Sequence, residues 1–198
     1  MLTGGSHQGV AALSESIGIQ DENYLFKLIA NEKKIPFLLI LDSLTDPHNL
    51  GACMRSAEAA GVQAVIIPKD NAVGITPVVQ KVSSGATELI PLIVVTNLSR
   101  TIKQLQDKGI WVIGAAGEAE DLLYDTDLSG PLALVMGAEE KGLRRLTREN
   151  CDTLIKIPMI GLVSSLNVSV AAGVCLFEAL RQRCLLYTSD AADEGLGV

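Results

Sequence analysis

Residues 157–172 have the sequence IPMIGLVSSLNVSVAA, which runs from the end of an apolar strand through a loop with glycine and serine into an apolar helix. Ser165 and Asn167 stand where the loop becomes the helix. Their side-chain oxygens can satisfy backbone N–H groups that lack a helical partner, so the simplest interpretation is a helix cap. The alternative is a polar binding site at the mouth of a sheet, and the rest of the chain decides between the two.

Outward from this segment, short apolar runs alternate with helical patterns along most of the chain. We expect strands at 37–41, 64–67, 92–95, 110–114, 132–136 and 154–157. We expect helices at 21–33, 49–60, 77–83, 98–108, 146–151 and 166–183. Strands without polar residues at alternate positions are buried on both faces. The alternation therefore predicts an α/β fold with a mostly parallel sheet between two layers of helices.

The composition fits one sizeable folded domain, since the chain has 198 residues, of which 48% are hydrophobic and 20% are charged. No apolar run reaches the length of a membrane span, and the N-terminus has no secretory pattern. Two histidines and four widely spaced cysteines argue against a metal site. We expect reduced cysteines and a cytoplasmic protein.

The formal net charge of −7 argues against wholesale electrostatic capture of nucleic acid. One basic cluster stands out locally, and it consists of Lys141, Arg144, Arg145 and Arg148. Such a cluster is more often the solvated face of a helix, and the alternative is a track for phosphate groups.

Both ends of the chain differ from the region between them. Residues 1–20 are rich in glycine, serine and small side chains, which predicts a linker. Residues 21–183 carry the strand and helix pattern and form the expected domain. Residues 184–198 follow neither period, and we expect them to be a non-native tail without a functional role.

Three loops with polar residues follow strands of the predicted sheet. The first, LTDPHNLGACMRS, contains Asn49, placed to cap the next helix, and Arg55, which points away from the apolar side of that helix. The second, MGAEEKGL, holds Glu139 between two glycines, and the third is the segment 157–172. Ligands of open parallel sheets bind beyond the carboxyl ends of the strands, so we expect the loops to converge there.

The chain resembles the SpoU (TrmH-like) RNA ribose methyltransferases of the SPOUT superfamily in three ordered segments: NLGACMRSAEAAG (49–61), LVMGAEEKGLRR (134–145) and IPMIGLVSSLNVSVAAGVCLFEALRQR (157–183). The similarity covers residues 36–183 and extends to those bacterial members that methylate a guanosine of 23S rRNA. It implies a Rossmann-like sheet with a C-terminal trefoil knot, and a homodimer. It also implies an RNA-binding domain before the linker, and we expect the present sequence to be a truncated form or the catalytic domain alone.

The same resemblance implies S-adenosylmethionine as the cofactor and an RNA ribose 2′-hydroxyl as the acceptor. Backbone groups at three positions would hold the cofactor: Gly137, Ile157 and Leu166. The polar active-site positions of the family fall on Asn49, Arg55, Glu139, Ser165 and Asn167. The family mechanism gives an arginine a part in deprotonating the hydroxyl. Because a guanidinium stays protonated, we expect Arg55 to position the phosphate and the hydroxyl with its planar fork.

Other functions fit less well. A nicotinamide-dependent oxidoreductase needs G-x-G-x-x-G after its first strand, where this chain has LTDPHNLG. A serine hydrolase needs G-x-S-x-G, from which GLVSS at 161–165 departs. Two alternatives stay open, namely a tRNA ribose 2′-O-methyltransferase and an RNA-binding scaffold that has lost activity.

Overall fold

The computed structural model describes residues 17–31, 33–138 and 141–193, with side chains as far as Cys184. In these residues eight strands form one parallel sheet in the order β1-β4-β3-β2-β7-β5-β8-β6. The strands are β1 (Ile19–Gln20), β2 (Phe37–Asp42), β3 (Ala64–Pro68), β4 (Leu92–Val95), β5 (Trp111–Ala115), β6 (Asp121–Leu122), β7 (Leu132–Gly137) and β8 (Thr153–Lys156). The helices are α1 (Glu22–Asn31), α2 (Pro47–Ala59), α3 (Pro77–Ser83), α4 (Ala86–Leu89), α5 (Leu98–Gln106), α6 (Arg145–Asn150) and α7 (Val168–Asp193), with a 3₁₀ turn at Leu123–Asp125.

The sheet is buried on both faces, as the apolar strands predict. Successive side chains of a strand point to opposite faces. Accordingly, Leu39 and Leu41 of β2 join one core with residues of α2, α3 and α7, while Leu38 and Ile40 join a second core with residues of α1 and α5. Each fully buried leucine stabilises the fold by about 1.5–3 kcal/mol relative to an exposed one. The predicted α/β class and parallel sheet are confirmed.

The strand order brings the site segments to one edge of the sheet. β7 lies between β2 and β5, with Asp42 beside Gly137 at the carboxyl ends of the pair. From β2 the order continues through β3 to β4, and from β7 it continues through β5 to β8. In such sheets, ligands bind in the crevice between the two strands from which the order runs in opposite directions. Here that point is the β2–β7 boundary, where the first two polar loops begin.

Two helix starts differ from the sequence prediction. α2 begins at Pro47, and its cap is Asp46, which accepts a hydrogen bond from the His48 N–H (2.9 Å). The prediction that Asn49 caps this helix is therefore wrong, because an aspartate followed by proline at the first helical position is a stronger start signal. α7 begins at Val168, two residues later than expected.

Several short elements escaped prediction. Strands β1 and β6 have two residues each and α4 has four, which is too short for a period to show. β1 lies within the predicted linker and pairs with β4. Residues 1–16 of the predicted linker lie outside the described residues. α7 continues to Asp193 rather than ending at residue 183, since residues 184–193 contain neither glycine nor proline.

Among the described residues, no helix is both long enough and apolar enough to cross a membrane.

Candidate active site

The loop after β7 folds back tightly onto the end of its strand. The Gly142 N–H donates to the Ala138 carbonyl (2.8 Å), and Gly142 adopts a φ of 62°, a conformation that favours glycine. A Cβ atom on Gly137 would lie only 2.1 Å from the Gly142 carbonyl carbon. Close backbone approach therefore requires a glycine at position 137, while the positive φ favours one at position 142. Glu139, which lies between them, is outside the described residues.

Asn167 joins the first and third loops. Its Oδ1 accepts hydrogen bonds from the N–H (2.9 Å) and the Oγ (2.6 Å) of Ser169, so it caps α7 as predicted. Its Nδ2 donates to Oδ1 of Asn49 (3.0 Å), which is buried in the first turn of α2. Asn167 therefore caps α7 and also contacts Asn49, another of the predicted site residues. The hydrogen bond places these two side chains together although 118 positions separate them.

The segment between β8 and α7 is an irregular loop. Within the described chain, no backbone–backbone hydrogen bond involves residues 158–166. Ile160 and Leu162 are fully exposed, and Ser165 is exposed, while Leu166 is half-buried. The peptide groups of this loop are therefore available to a ligand.

A cleft opens between this loop and the carboxyl ends of β5, β7 and β8. Four of the predicted site residues line it: Gly137, Ile157, Ser165 and Leu166. Apolar side chains of Leu143 and Ile155 form part of its wall. Arg148 lies at the cleft in an ion pair with Glu118, and the Arg148 Nε atom is buried without a hydrogen-bond partner among the described residues. A ligand acceptor would satisfy that nitrogen.

Arg55 lies apart from these four residues. It is exposed on α2 and does not line the cleft of its own chain. Its exposure agrees with the prediction that it points away from the apolar side of the helix. α2 packs against α7, and a Cβ on Gly173 would lie 3.8 Å from the Ser56 Oγ. Arg55 therefore lies beside the α2–α7 contact, at the surface of the chain.

Nucleophilic catalysis by a thiol is not supported by the cysteines near the site. Burial is the main cause that raises the pKa of Cys151 to about 12, with smaller contributions from the carboxylates of Asp152 and Asp42. Burial alone raises the pKa of Cys175 to about 12. Thiols with such pKa values stay protonated at neutral pH and are poor nucleophiles.

Metal chemistry lacks support in the described residues, which contain no group of histidine, cysteine or carboxylate side chains arranged to hold a metal ion. A second cavity, of about 850 Å³, lies beside the start of β5. It contains none of the predicted site residues. Its lining includes four carboxylates: Glu120, Asp121, Asp125 and Asp127. This negative charge makes it a poor site for a polyanion.

Sequence reasoning missed Asp42, Glu118 and Arg148 as residues of this edge. Asp42 carried a readable signal, since it is the one charged residue at the end of an otherwise apolar strand. Glu118 and Arg148 meet across 30 positions, and no local pattern indicates that contact.

Comparison with known proteins identifies the relatives. The model of the SpoU rRNA Methylase family matches residues 36–177. The protein named 23S rRNA (guanosine-2′-O-)-methyltransferase RlmB from Shewanella oneidensis is 63% identical over 177 residues, which is 89% of this chain and 72% of the relative. The protein of the same name from Pseudomonas aeruginosa is 60% identical over 90% of this chain and 72% of the relative.

Solved structures agree with the sequence relatives. The SpoU methyltransferase AviRb from Streptomyces viridochromogenes, in complex with AdoMet, has a TM-score of 0.74 at 28% identity, covering 81% of this chain and 64% of AviRb. The TrmH/SpoU tRNA modifying enzyme of A. aeolicus has a TM-score of 0.69 at 27% identity, covering 82% and 83%. With a family model across most of its length and relatives near 60% identity, this chain belongs to the SpoU rRNA methylase family.

Proposed function

We propose that this chain transfers a methyl group from S-adenosylmethionine to the ribose 2′-hydroxyl of a guanosine in 23S rRNA. The observation that carries the proposal is the cleft, in which the second and third loops meet at the carboxyl edge of the sheet. The family membership, and relatives near 60% identity that bear this activity in their names, support the reaction and the substrate.

The cleft residues fit S-adenosylmethionine. Apolar side chains such as Leu143 and Ile155 suit the faces of a purine ring, and the unused peptide groups of the third loop suit its edges. The buried Arg148 Nε offers a donor to an acceptor on the ligand. Gly137, Ile157 and Leu166 would hold the cofactor through their backbones. When bound, the cofactor supplies a methyl group on a sulfonium centre.

The polar residues would align and activate the acceptor hydroxyl. A ribose 2′-hydroxyl is a weak nucleophile until its proton is removed or strongly polarised. Alignment of the oxygen behind the methyl group contributes much of the rate. We assign Arg55 to the phosphate and the hydroxyl, and the Asn49–Asn167 pair to the orientation of the loops. Ser165 lies at the cleft, and Glu139 would orient Arg55 or a loop N–H group.

We further propose that the protein works as a homodimer with a two-fold axis. Ile160 and Leu162 are fully exposed, and Val170 and Phe177 on α7 are about half exposed (52% and 50%). Val170 and Phe177 are seven residues apart and share one face of α7, and exposed apolar side chains on a helix face and in the preceding loop are typical of an interface. Such a dimer would allow Arg55 of one protomer to approach the cleft of its partner, which would explain why it does not line its own.

Two finer features of the family accompany this proposal. The contacts of α7 with α2, β7 and the 3₁₀ turn are compatible with the trefoil knot. No disulfide joins the four cysteines, which fits a cytoplasmic protein.

Subunit mixing tests whether Arg55 acts across the interface. Arg55→Ala should lose methyl transfer and keep cofactor affinity, because Arg55 does not line the cleft. Leu166→Arg should lose cofactor binding. When the two inactive variants are unfolded and refolded together in equal amounts, a site shared between protomers restores about a quarter of the wild-type activity. If the mixed dimers show no activity, Arg55 acts in the site of its own protomer.

Mapping of methylated nucleotides by mass spectrometry tests the substrate. Ribosomal RNA from cells with and without the gene should differ at one 2′-O-methylguanosine of 23S rRNA. A difference at a tRNA ribose instead would select the tRNA enzyme, and identical methylation of all RNAs would select the inactive scaffold.

A further inference from the structure

Asp42 is a buried carboxylate that has no role in the proposed reaction. Its residue is fully buried at the carboxyl end of β2. One oxygen accepts hydrogen bonds from the Arg144 Nε (2.6 Å) and the Ser43 Oγ (3.2 Å), and the other accepts the Arg144 backbone N–H (3.0 Å). A carboxylate is buried at low cost only when it is paired and hydrogen-bonded. Asp42 therefore fixes both the backbone and the side chain of Arg144.

The outer end of the Arg144 guanidinium is left for another partner. Its side chain is 44% exposed, and within the described chain its Nη1 and Nη2 groups make no hydrogen bond. Arg144 and Arg145 line a groove beyond the ends of β3 and β4. The remaining wall of the groove is part polar and part apolar, and its polar residues include Asp70, Asn97, Ser99 and Thr147.

We propose that this groove binds a backbone phosphate of the RNA, with Arg144 and Arg145 as donors and Asp42 as a positioning residue; this inference rests on the proposed function. A guanidinium presents its N–H groups in a planar fork that matches phosphate oxygens. Because Asp42 holds Arg144 in place before RNA arrives, little side-chain entropy is lost on binding. Arg145 is 79% exposed, and its surface pair with Glu149 is weak enough to exchange for a phosphate.

The groove contains one carboxylate, that of Asp70, against the two arginines. The first turn of α5 adds N–H groups of Leu98 and Ser99, which lack a helical acceptor. Asn97 already caps this helix by accepting the Arg100 N–H (3.0 Å). The balance of charges and donors in the groove favours an anion.

The position of the groove suits an RNA strand that reaches the cleft. Both lie at the carboxyl edge of the sheet, and two strand spacings, about 10 Å, separate β3 from β7. Leu143 lines the cleft and Arg144, the next residue, lines the groove. The basic cluster is thus divided, since Arg148 faces the cleft and pairs with Glu118 while Arg144 and Arg145 face the groove.

RNA binding and its salt dependence test the groove. Dissociation constants of a 23S rRNA transcript are measured by filter binding, in the absence of cofactor, between about 50 and 200 mM salt. The variants are Arg145→Ala and the double variant Asp42→Asn/Arg144→Gln, in which a neutral pair replaces the ion pair so that no buried carboxylate is left alone. The matched control is Lys103→Ala, which removes one exposed positive charge from the side of α5. Calorimetry with S-adenosylmethionine and thermal unfolding are measured on each variant.

We expect each groove variant to weaken RNA binding about three- to tenfold and to reduce the salt slope by about one unit, while Lys103→Ala leaves both unchanged. Cofactor affinity should stay within about twofold of wild type, because the groove is separate from the cleft. Folded groove variants that bind RNA as the wild type does would overturn the proposal, and so would an equal loss in Lys103→Ala. Loss of cofactor affinity alone would assign the Asp42–Arg144 pair to the cleft instead. A wild-type chain that binds RNA through the groove but transfers no methyl group would refute the proposed function and leave the groove intact.

Discussion

Gly137 is the residue at which the second loop comes closest to its own strand. A side chain there would overlap the backbone of Gly142 and Leu143, because a Cβ atom would lie 2.1 Å from the first and 2.3 Å from the second. Backbone atoms cannot move aside as a flexible side chain can. The loop that borders the cleft therefore depends on the absence of one methyl group.

Gly137→Ala should displace this loop, reduce cofactor affinity at least tenfold and lower the free energy of unfolding by about 1–3 kcal/mol. Urea denaturation and calorimetry with S-adenosylmethionine measure the two effects. Gly74→Ala is the matched control, since a Cβ on Gly74 meets no atom within 4 Å. An alanine at position 137 that binds the cofactor normally would show that the loop is not part of the site.

Some of these residue-level features were predictable from the sequence and others were not. Capping by Asn167 is local, and the sequence predicts it. The partner of its other end, Asn49, lies 118 positions away, and only the sheet topology brings the two together. The same limit applies to Asp42 and Arg144, which are 102 positions apart. Pairing between distant polar residues depends on the strand order, which composition and period do not determine.

At the scale of the elements, the starts of α2 and α7 border the polar loops at the carboxyl edge of the sheet. Asp46 caps α2, and Asn167 caps α7 while also binding Asn49. Both caps have the same local chemistry, yet only Asn167 lies between two of the loops. We therefore expect Asp46 to act only as a cap and Asn167 to act in the site as well.

Asp46→Ala should cost about 1 kcal/mol of stability and leave methyl transfer largely intact. Asn167→Ala should cost about 2 kcal/mol, because it removes the cap and also a hydrogen bond to the buried Asn49. We expect it to lower the turnover number more than tenfold at saturating cofactor. Thermal unfolding and steady-state kinetics check both variants, and equal activities would reduce Asn167 to an ordinary cap.

Element prediction succeeded where burial is complete. β2, β3, β4 and β7 are continuous apolar runs with clear ends, and each was predicted within one residue. The sequence could not predict β1 and β6, because two-residue strands owe their pairing to neighbouring strands. The sequence prediction starts α2 two residues late, because it assigns the helix cap to Asn49 instead of Asp46.

At the scale of the whole molecule, exposed apolar residues lie on α7 and in the third loop, among other places. Phe177 on α7 is half exposed, and Ile160 and Leu162 in the third loop are fully exposed. Trp111, which is 60% exposed at the start of β5, belongs to a different surface. If Phe177, Ile160 and Leu162 form the dimer interface, an arginine introduced at Phe177 should change the oligomeric state and an arginine introduced at Trp111 should not.

Phe177→Arg should convert the dimer to a monomer, since an arginine would be buried without a partner at the interface. Trp111→Arg should remain dimeric, and light scattering coupled to size exclusion measures both masses. We expect the monomer to lose methyl transfer, because Arg55 of a second protomer would no longer reach its cleft. A wild-type chain that is monomeric at micromolar concentration, or a dimeric Phe177→Arg, would rule out this interface.

We propose above all that distant loops form one cleft for a sulfonium cofactor. Calorimetric titration of the folded wild-type protein and of Leu166→Arg with S-adenosylmethionine measures whether they do. We expect saturable binding near one molecule per protomer for the wild type, and no measurable heat for Leu166→Arg, because the arginine would occupy the cleft. No heat from the folded wild-type protein, or an unaltered affinity in the variant, would show that these loops do not form the cofactor site.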